Sequence, residues 1–257
     1  LSYFIFPPSA MGYDAALDRT VRYLLPATNP DIFTCGIEPP IFDFSFVGQI
    51  FAPISDELRA RPIIVGGVHC GTVGELMAIF DDRRITQSTH SVDDTKGALV
   101  DHVRRRNPAA EAAMISPAIM NIFDEYYPRL MERTRMLDAI MGISNKVGFF
   151  GTGPWHEWPQ YHKHFGGYLN RQGKMGLVFR RTKVSLHNGI CGMHFRVLDC
   201  MASGGAILVN RSKWDGTPFG IDRYFEAGRH YIEYDFDNLA EAAAALDWHQ
   251  PAARIFD

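Results

Sequence analysis

Between Phe195 and Ser203 the apolar residues Val197, Leu198, Met201 and Ala202 recur at helical spacing, which predicts a helix. The pair Gly204-Gly205 stops that helix in the way a C′ glycine does, and Ala206–Val209 follows as a short apolar run suited to a strand covered on both faces. The same grammar runs through the C-terminal half of the chain. RLMERTRMLDAIMGI is an amphipathic helix, NKVGFFGTG a strand entering a glycine loop, QGKMGLVFRRT a helix and KVSLHN a strand. DRYFEAGRHYIEYD reads as a short helix and a strand, and NLAEAAAALDW as a helix capped by Asp237 or Asn238. DFSFVG, Asp43 to Gly48, predicts an earlier strand meeting a glycine turn. Strands alternating with helices imply an α/β domain whose mostly parallel sheet is covered on both faces.

The middle of the chain has a different period. ISDELRA, VGELMAIFDD, DTKGALVDHVRRR and AAEAAMISPAIMNIFDEYY all place apolar residues at helical spacing, with Pro108 and Pro117 breaking the run. Residues 51–127 are therefore expected to be a mostly helical insertion, leaving 38–50 and 128–257 for the sheet domain. Asp14–Leu25 reads as a helix, and the proline-punctuated LLPATNPDIF as an extended connector. Residues 1–37 are expected to be a remnant of, or connector from, an amino-terminal domain. Because the chain starts at Leu1, we expect it to be a piece of a longer protein.

Composition changes this picture little. The 257 residues are 46% hydrophobic and 21% charged, with a net charge of −3, so nothing draws the whole chain toward nucleic acid or an anionic membrane. Arg104-Arg105-Arg106 lies beside Asp101 and Glu111 and reads as a solvated helix face. No apolar stretch approaches the ~20 residues of a membrane span, although peripheral membrane contact stays open. The four cysteines form no CxxC pair, which is the pattern of reduced thiols and a cytoplasmic protein.

Ligands of such sheets bind at the carboxyl ends of the strands. That rule gathers GTGPW, LHNG, the GMHFR turn and SGG as candidates for one crevice. His194 and Arg196 stand at a helix N-terminus, where unpaired amides and the macrodipole favour an anion and Arg adds a bidentate phosphate binder. Gly151 and Gly153 allow close backbone approach with Trp155 stacking on a base or sugar, or they simply make a tight turn. Lys183 is either a solvated strand start or a charge on a phosphate, and Asn188 is a common turn residue at a strand end. Asp199 either pairs with Arg196 one turn away or accepts hydrogen bonds from a ribose. WHEWPQYHKH lacks HExxH spacing and reads as surface aromatics and histidines, so no metal is expected. IIVGGVHCGTVGELM has the order strand, glycine loop, helix that could cradle phosphate but lacks GK[ST], and its His69-Cys70 pair reads as part of a structural turn rather than thiol chemistry.

The order FSFVG, a helical stretch, RxxxLDAI, KVGFFGTGPW, TKVSLHN, GMHFRVLDCMASGGAILVNRS and FEAGRHYIEYD resembles the nucleotide-binding half of GT-B glycosyltransferases, nearest the spore-maturation-type (CgeB-like) group. The likeness spans roughly residues 38–247. It implies a Rossmann-like fold and a sugar transferase using a nucleotide-diphosphate sugar with an unknown acceptor, without cofactor or metal. By the same resemblance Gly151, Gly153, Trp155, Asn188 and Asp199 would line the donor site, and Lys183 and Arg196 would face the diphosphate. His194 would sit near sugar or phosphate, with Gly204 and Gly205 allowing close approach. Arg, Lys and a helix N-terminus would stabilise the departing nucleoside diphosphate. Asp199 departs from the Glu usual in this family. The acceptor-binding domain that normally supplies the base is not recognisable in residues 1–37, so either it is expected upstream of this chain and needed for activity, or the chain is a catalytically inactive nucleotide- or partner-binding module. A nucleotide-sugar epimerase or dehydrogenase fits less well, because GxGxxG with a following acidic residue is absent.

Overall fold

The computed structural model describes residues 3–4, 22–36, 38–86, 88–235 and 237–244. Two compact units emerge, one built around Pro53–Glu132 and one from Tyr23–Ala52 together with the chain from Arg133 onward. In chain order the first strands are β1 (Tyr3–Phe4) and β2 (Arg22–Tyr23), which pair with each other, and β3 (Phe42–Val47), which belongs to a larger sheet. Of the helix expected at Asp14–Leu25, residues 14–21 lie outside the described residues, and Arg22–Tyr23 are strand instead.

The Pro53–Glu132 unit begins with α1 (Asp56–Ala60), whose N-cap Ser55 accepts from the Leu58 amide. An antiparallel hairpin of β4 (Pro62–Val65) and β5 (Val68–Thr72) follows, turning at Gly66 and Gly67, both at positive φ. Then come α2 (Val73–Asp82), capped by Thr72, and α3 (Val92–Arg104), opened by a Ser91/Asp94 capping box. The stretch expected to be mostly helical thus also carries a hairpin. AAEAAMISPAIMNIFDEYY is not one helix either. A 3₁₀ turn at Ala112–Met114 gives way to extended backbone at Ile115 and Ser116, because Pro117 disfavours helix in the residue before it. Pro117 then serves as the first residue of α4 (Pro117–Asn121), a π segment spans Ile122–Tyr126, and α5 (Tyr127–Ile143) continues the run. Leu76, Phe80, Leu99, Phe123 and Tyr127 form the centre of this unit's core.

The second unit is a five-stranded parallel sheet in the order β6-β3-β7-β8-β9. Its further elements are β6 (Val147–Phe150), α6 (Pro159–His162), α7 (Gln172–Arg180), β7 (Thr182–His187), α8 (Phe195–Ala202), β8 (Ala206–Asn210), β9 (Ile232–Tyr234) and α9 (Leu239–Ala244). Strand residues alternate between two cores. Phe44, Phe46, Phe149, Val184, Leu186, Ala206 and Leu208 face Met136, Leu137 and Ile140 of α5 and Leu239 of α9. Val47, Phe150, Ile207 and Val209 face Phe179 of α7 and Val197 and Cys200 of α8. Burial on both faces explains why these strands read as nearly continuous apolar runs. The architecture is α/β and Rossmann-like. Since all five strands run one way, the sheet has an amino edge and a carboxyl edge.

Candidate functional site at the carboxyl edge

The carboxyl edge is assembled by loops that tie to one another. After β7, the Gly189 amide donates to Asn210 Oδ1 and the Asn210 Nδ2 donates to the Gly189 carbonyl, at 2.9 and 2.8 Å. Further along, the buried Asp215 carboxylate accepts from the amides of Gly192 and Ser212 at 2.8 and 2.7 Å. Burial raises the Asp215 carboxyl to about 6 despite those two bonds. The Tyr234 hydroxyl reaches from β9 to the His187 carbonyl at 3.0 Å. The chain leaving β7 is therefore held firmly as it leads into α8.

His194 is the N-cap of α8. Its backbone is extended, and its Nδ1 accepts from the Arg196 amide at 3.2 Å, so in the neutral ring the proton resides on Nε2. The Arg196 guanidinium turns back toward the sheet and donates from Nη1 to the Val47 carbonyl at the end of β3, at 2.7 Å. Two residues on, the Gln49 carbonyl accepts from Nη1 of Arg133, a buried residue of α5. The Arg133 guanidinium lies over the rings of Phe46 and Phe51, 5.9 and 5.8 Å from their centroids. Two guanidiniums thus hold the loop after β3 from either side of Gly48.

His187 ends β7 beside them, its ring 5.0 Å from that of His194. Its Nε2 donates to the Cys191 carbonyl at 3.1 Å, and its buried Nδ1 has no partner among the described residues. Burial, then the neighbouring His194, Arg196 and Arg133, push this imidazole well below its usual range and keep it neutral. Positive charge here comes from the Arg196 and Arg133 guanidiniums and a donor from His194 Nε2–H, whereas the neutral His187 ring offers Nδ1 as an acceptor.

Several expected site residues are elsewhere. Lys183 opens β7 and so stands at the amino edge, where its Nζ lies 2.7 Å from Asp43 at the start of β3. Burial works to raise Asp43, but Lys183 and the Ser144 hydroxyl outweigh it and hold that carboxyl below the usual range. Gly204 and Gly205 also lie at the amino edge, because they precede β8 and α8 runs back against the strands. They form the Schellman end of α8, with the Gly205 amide on the Cys200 carbonyl and the Gly204 amide on the Met201 carbonyl. Trp155 is not a stacking platform. It is buried in the core between Phe149 and Phe165, at 5.8 and 5.3 Å, and Tyr161 of the same WHEWPQYHKH tract is buried too. Gly151 and Gly153 do stand at the carboxyl edge, at φ of 125° and 105°, but a Cβ on either would run into the carbonyls of Gly48 and Ile50. Their space is filled by the loop after β3, whose Gly48 and Ile50 amides bond to the Phe150 and Thr152 carbonyls. Asp199 is buried on α8, raised above the usual range by burial and opposed by the Thr28 hydroxyl, rather than presented to a ribose. Asn188 is buried directly after β7.

Residues 128–255 match the family model described as glycosyl transferase-like. That part of the chain is similar to glycosyl transferase-like proteins. No curated protein and no solved structure matches it. The matched stretch takes in Arg133, His187, His194 and Arg196, whereas Val47 and Gln49, whose carbonyls the two guanidiniums bind, precede it. Among the described residues no group of three or more His, Cys, Asp or Glu is placed to hold a metal ion, and no helix is long and apolar enough to cross a membrane. Sequence reading missed His187 and Arg133. The usable signal for His187 was its place as last residue of a strand entering an Asn-Gly turn. Arg133 carries no such signal, being one of several arginines on an amphipathic helix.

Proposed function

We propose that the second unit is the donor-binding half of a GT-B glycosyltransferase, of the spore-maturation type, that moves a sugar from a nucleotide-diphosphate sugar to an acceptor. The observation that carries this reading is the meeting of His194 and Arg196, at the N-terminus of α8, with His187 and Arg133 at the carboxyl edge of a transferase-like domain. A pyrophosphate has the charge and acceptor oxygens such a rim favours. In the transfer, the bond between the anomeric carbon and the phosphate oxygen breaks, and its electron pair stays on the nucleoside diphosphate. The acceptor oxygen forms the new bond, and its proton passes to a base. Arg196, the amides of α8 and His194 Nε2–H stabilise the charge growing on the leaving group, so the chain's own donors supply the electrostatics.

The test is Arg196→Ala in the full chain, followed by calorimetry with inorganic pyrophosphate and nucleoside diphosphates and by a donor-turnover assay. The expected result is a loss of diphosphate affinity of tenfold or more, with turnover abolished and the circular dichroism spectrum retained. Unchanged affinity would overturn the site. The placement of Lys183 at the opposite edge leaves fewer cations for a leaving group than expected, which favours a second reading as a nucleotide-holding module. Wild-type binding of nucleoside diphosphates without turnover of any donor would select that reading.

A further inference from the structure

Trp155 is enclosed by the core, yet the rim it was expected to furnish presents another aromatic. The chain after α6 runs beside β6 on its outer side. The Phe149 amide donates to the His164 carbonyl, the Gly166 amide to the Phe149 carbonyl and the Gly151 amide to the Gly167 carbonyl, at 3.0, 2.8 and 3.2 Å. Two glycines then precede Tyr168. At Gly166 a Cβ would strike the Phe150 ring, so the side chain is excluded by packing. At Gly167 a Cβ would meet nothing, so glycine is required there only by its φ of 97°. This turn, tied to the GTG loop through Gly151, puts Tyr168 just past the carboxyl end of β6. At 66% Tyr168 is the most exposed of the large hydrophobic side chains described. From the Tyr168 segment, outside β6, to β7, which leads to Arg196, is three strand spacings, about 14 Å. That span suits a nucleotide lying with its phosphates at α8 and its base toward β6.

We infer that Tyr168 is the stacking platform for the planar base of a nucleoside diphosphate held by the Arg196 rim. This rests on the proposed donor-binding reading, but its test separates the two. An exposed aromatic face adds affinity only for a ligand with a ring to stack, so the base is the discriminating group. Calorimetry on the full chain would compare UDP, GDP and ADP with inorganic pyrophosphate, for wild type, Tyr168→Ala and Tyr168→Phe. In the wild type at least one nucleoside diphosphate is expected to bind more tightly than pyrophosphate. Tyr168→Ala is expected to lower that nucleotide's affinity about tenfold while leaving pyrophosphate binding unchanged, and Tyr168→Phe to retain wild-type affinity. Equal nucleotide affinity in Tyr168→Ala and wild type would overturn the platform. So would nucleotides binding no better than pyrophosphate, or a loss of pyrophosphate affinity matching the loss for nucleotide. A wild-type chain that binds neither pyrophosphate nor any nucleoside diphosphate overturns the anion site itself, and the platform with it.

Discussion

At the scale of single residues, the carboxyl rim uses the same groups for architecture and for charge. His194 shows this most plainly, because one ring nitrogen caps α8 while the other is a donor. Replacing it with Ala removes an acceptor from the first turn, at a cost of about 1 kcal/mol, and His194→Asn, whose side chain caps well, should recover most of that. Urea midpoints of the two variants check this, and equal midpoints would show that the cap contributes nothing. Lys183 offers the contrasting case. Its ion pair with Asp43 is partly exposed, so Lys183→Met should cost no more than about 1 kcal/mol and leave pyrophosphate affinity unchanged by calorimetry. A clear loss of affinity would return Lys183 to the site. The chemistry of Arg196 and Lys183 was legible in the sequence, but their separation needed the direction of each strand. A residue that opens a parallel strand and one that follows another strand's end stand at opposite edges, whatever their attraction for phosphate.

At the scale of elements, α8 is specified at both ends by local chemistry. Its C-terminal turn closes at Gly204, where φ is 76° and an added Cβ would meet only Cys35 at ordinary contact distance. Gly204→Ala therefore isolates the backbone penalty of a left-handed residue, about 1–2 kcal/mol. Thermal or urea unfolding should read that loss while pyrophosphate binding stays at the wild-type value, since Gly204 closes the end of α8 opposite Arg196. The helix-glycine-strand reading of this segment succeeds because period, cap and apolar run agree there. It fails between Glu111 and Tyr126 because a composition rich in Ala, Met and Ile keeps helical spacing through a proline that resets the backbone. It also misses β5, whose VHCGT is too short and too glycine-rich to show alternation, so only the first strand and the turn of the hairpin are visible in the pattern. Gly151 and Gly153 are legible as special glycines. That a neighbouring loop rather than a ligand fills the space above them is a tertiary fact that no local pattern carries.

For the whole molecule, the rim couples folding stability to pH through two buried groups acting in opposite directions. His187 is held well below its ordinary range, so the unfolded chain binds a proton there more readily, and stability falls as pH drops below the normal histidine range. Asp215 does the reverse. Its carboxyl titrates near 6 in the fold against 3.8 for the free group, so between those values the folded chain holds a proton that the unfolded chain has lost. Its contribution is complete below pH 4 and is lost as pH rises through 6, amounting to roughly 3 kcal/mol at 1.36 kcal/mol per unit. Asp215→Asn removes this titration and leaves every other titrating group in place. The variant loses one of the two amide bonds the carboxylate accepts, so it should be the less stable at pH 4.5, and its deficit should shrink steadily toward pH 6.5 as wild type gives up the Asp215 contribution. Urea unfolding of both proteins at half-unit steps across this window, with m-values checked for constancy, measures that difference directly. Parallel curves would mean that the Gly192 and Ser212 amides hold Asp215 ionised throughout. In that case the loop entering α8 is tied by a permanent charge rather than by a carboxyl that releases its proton near neutrality.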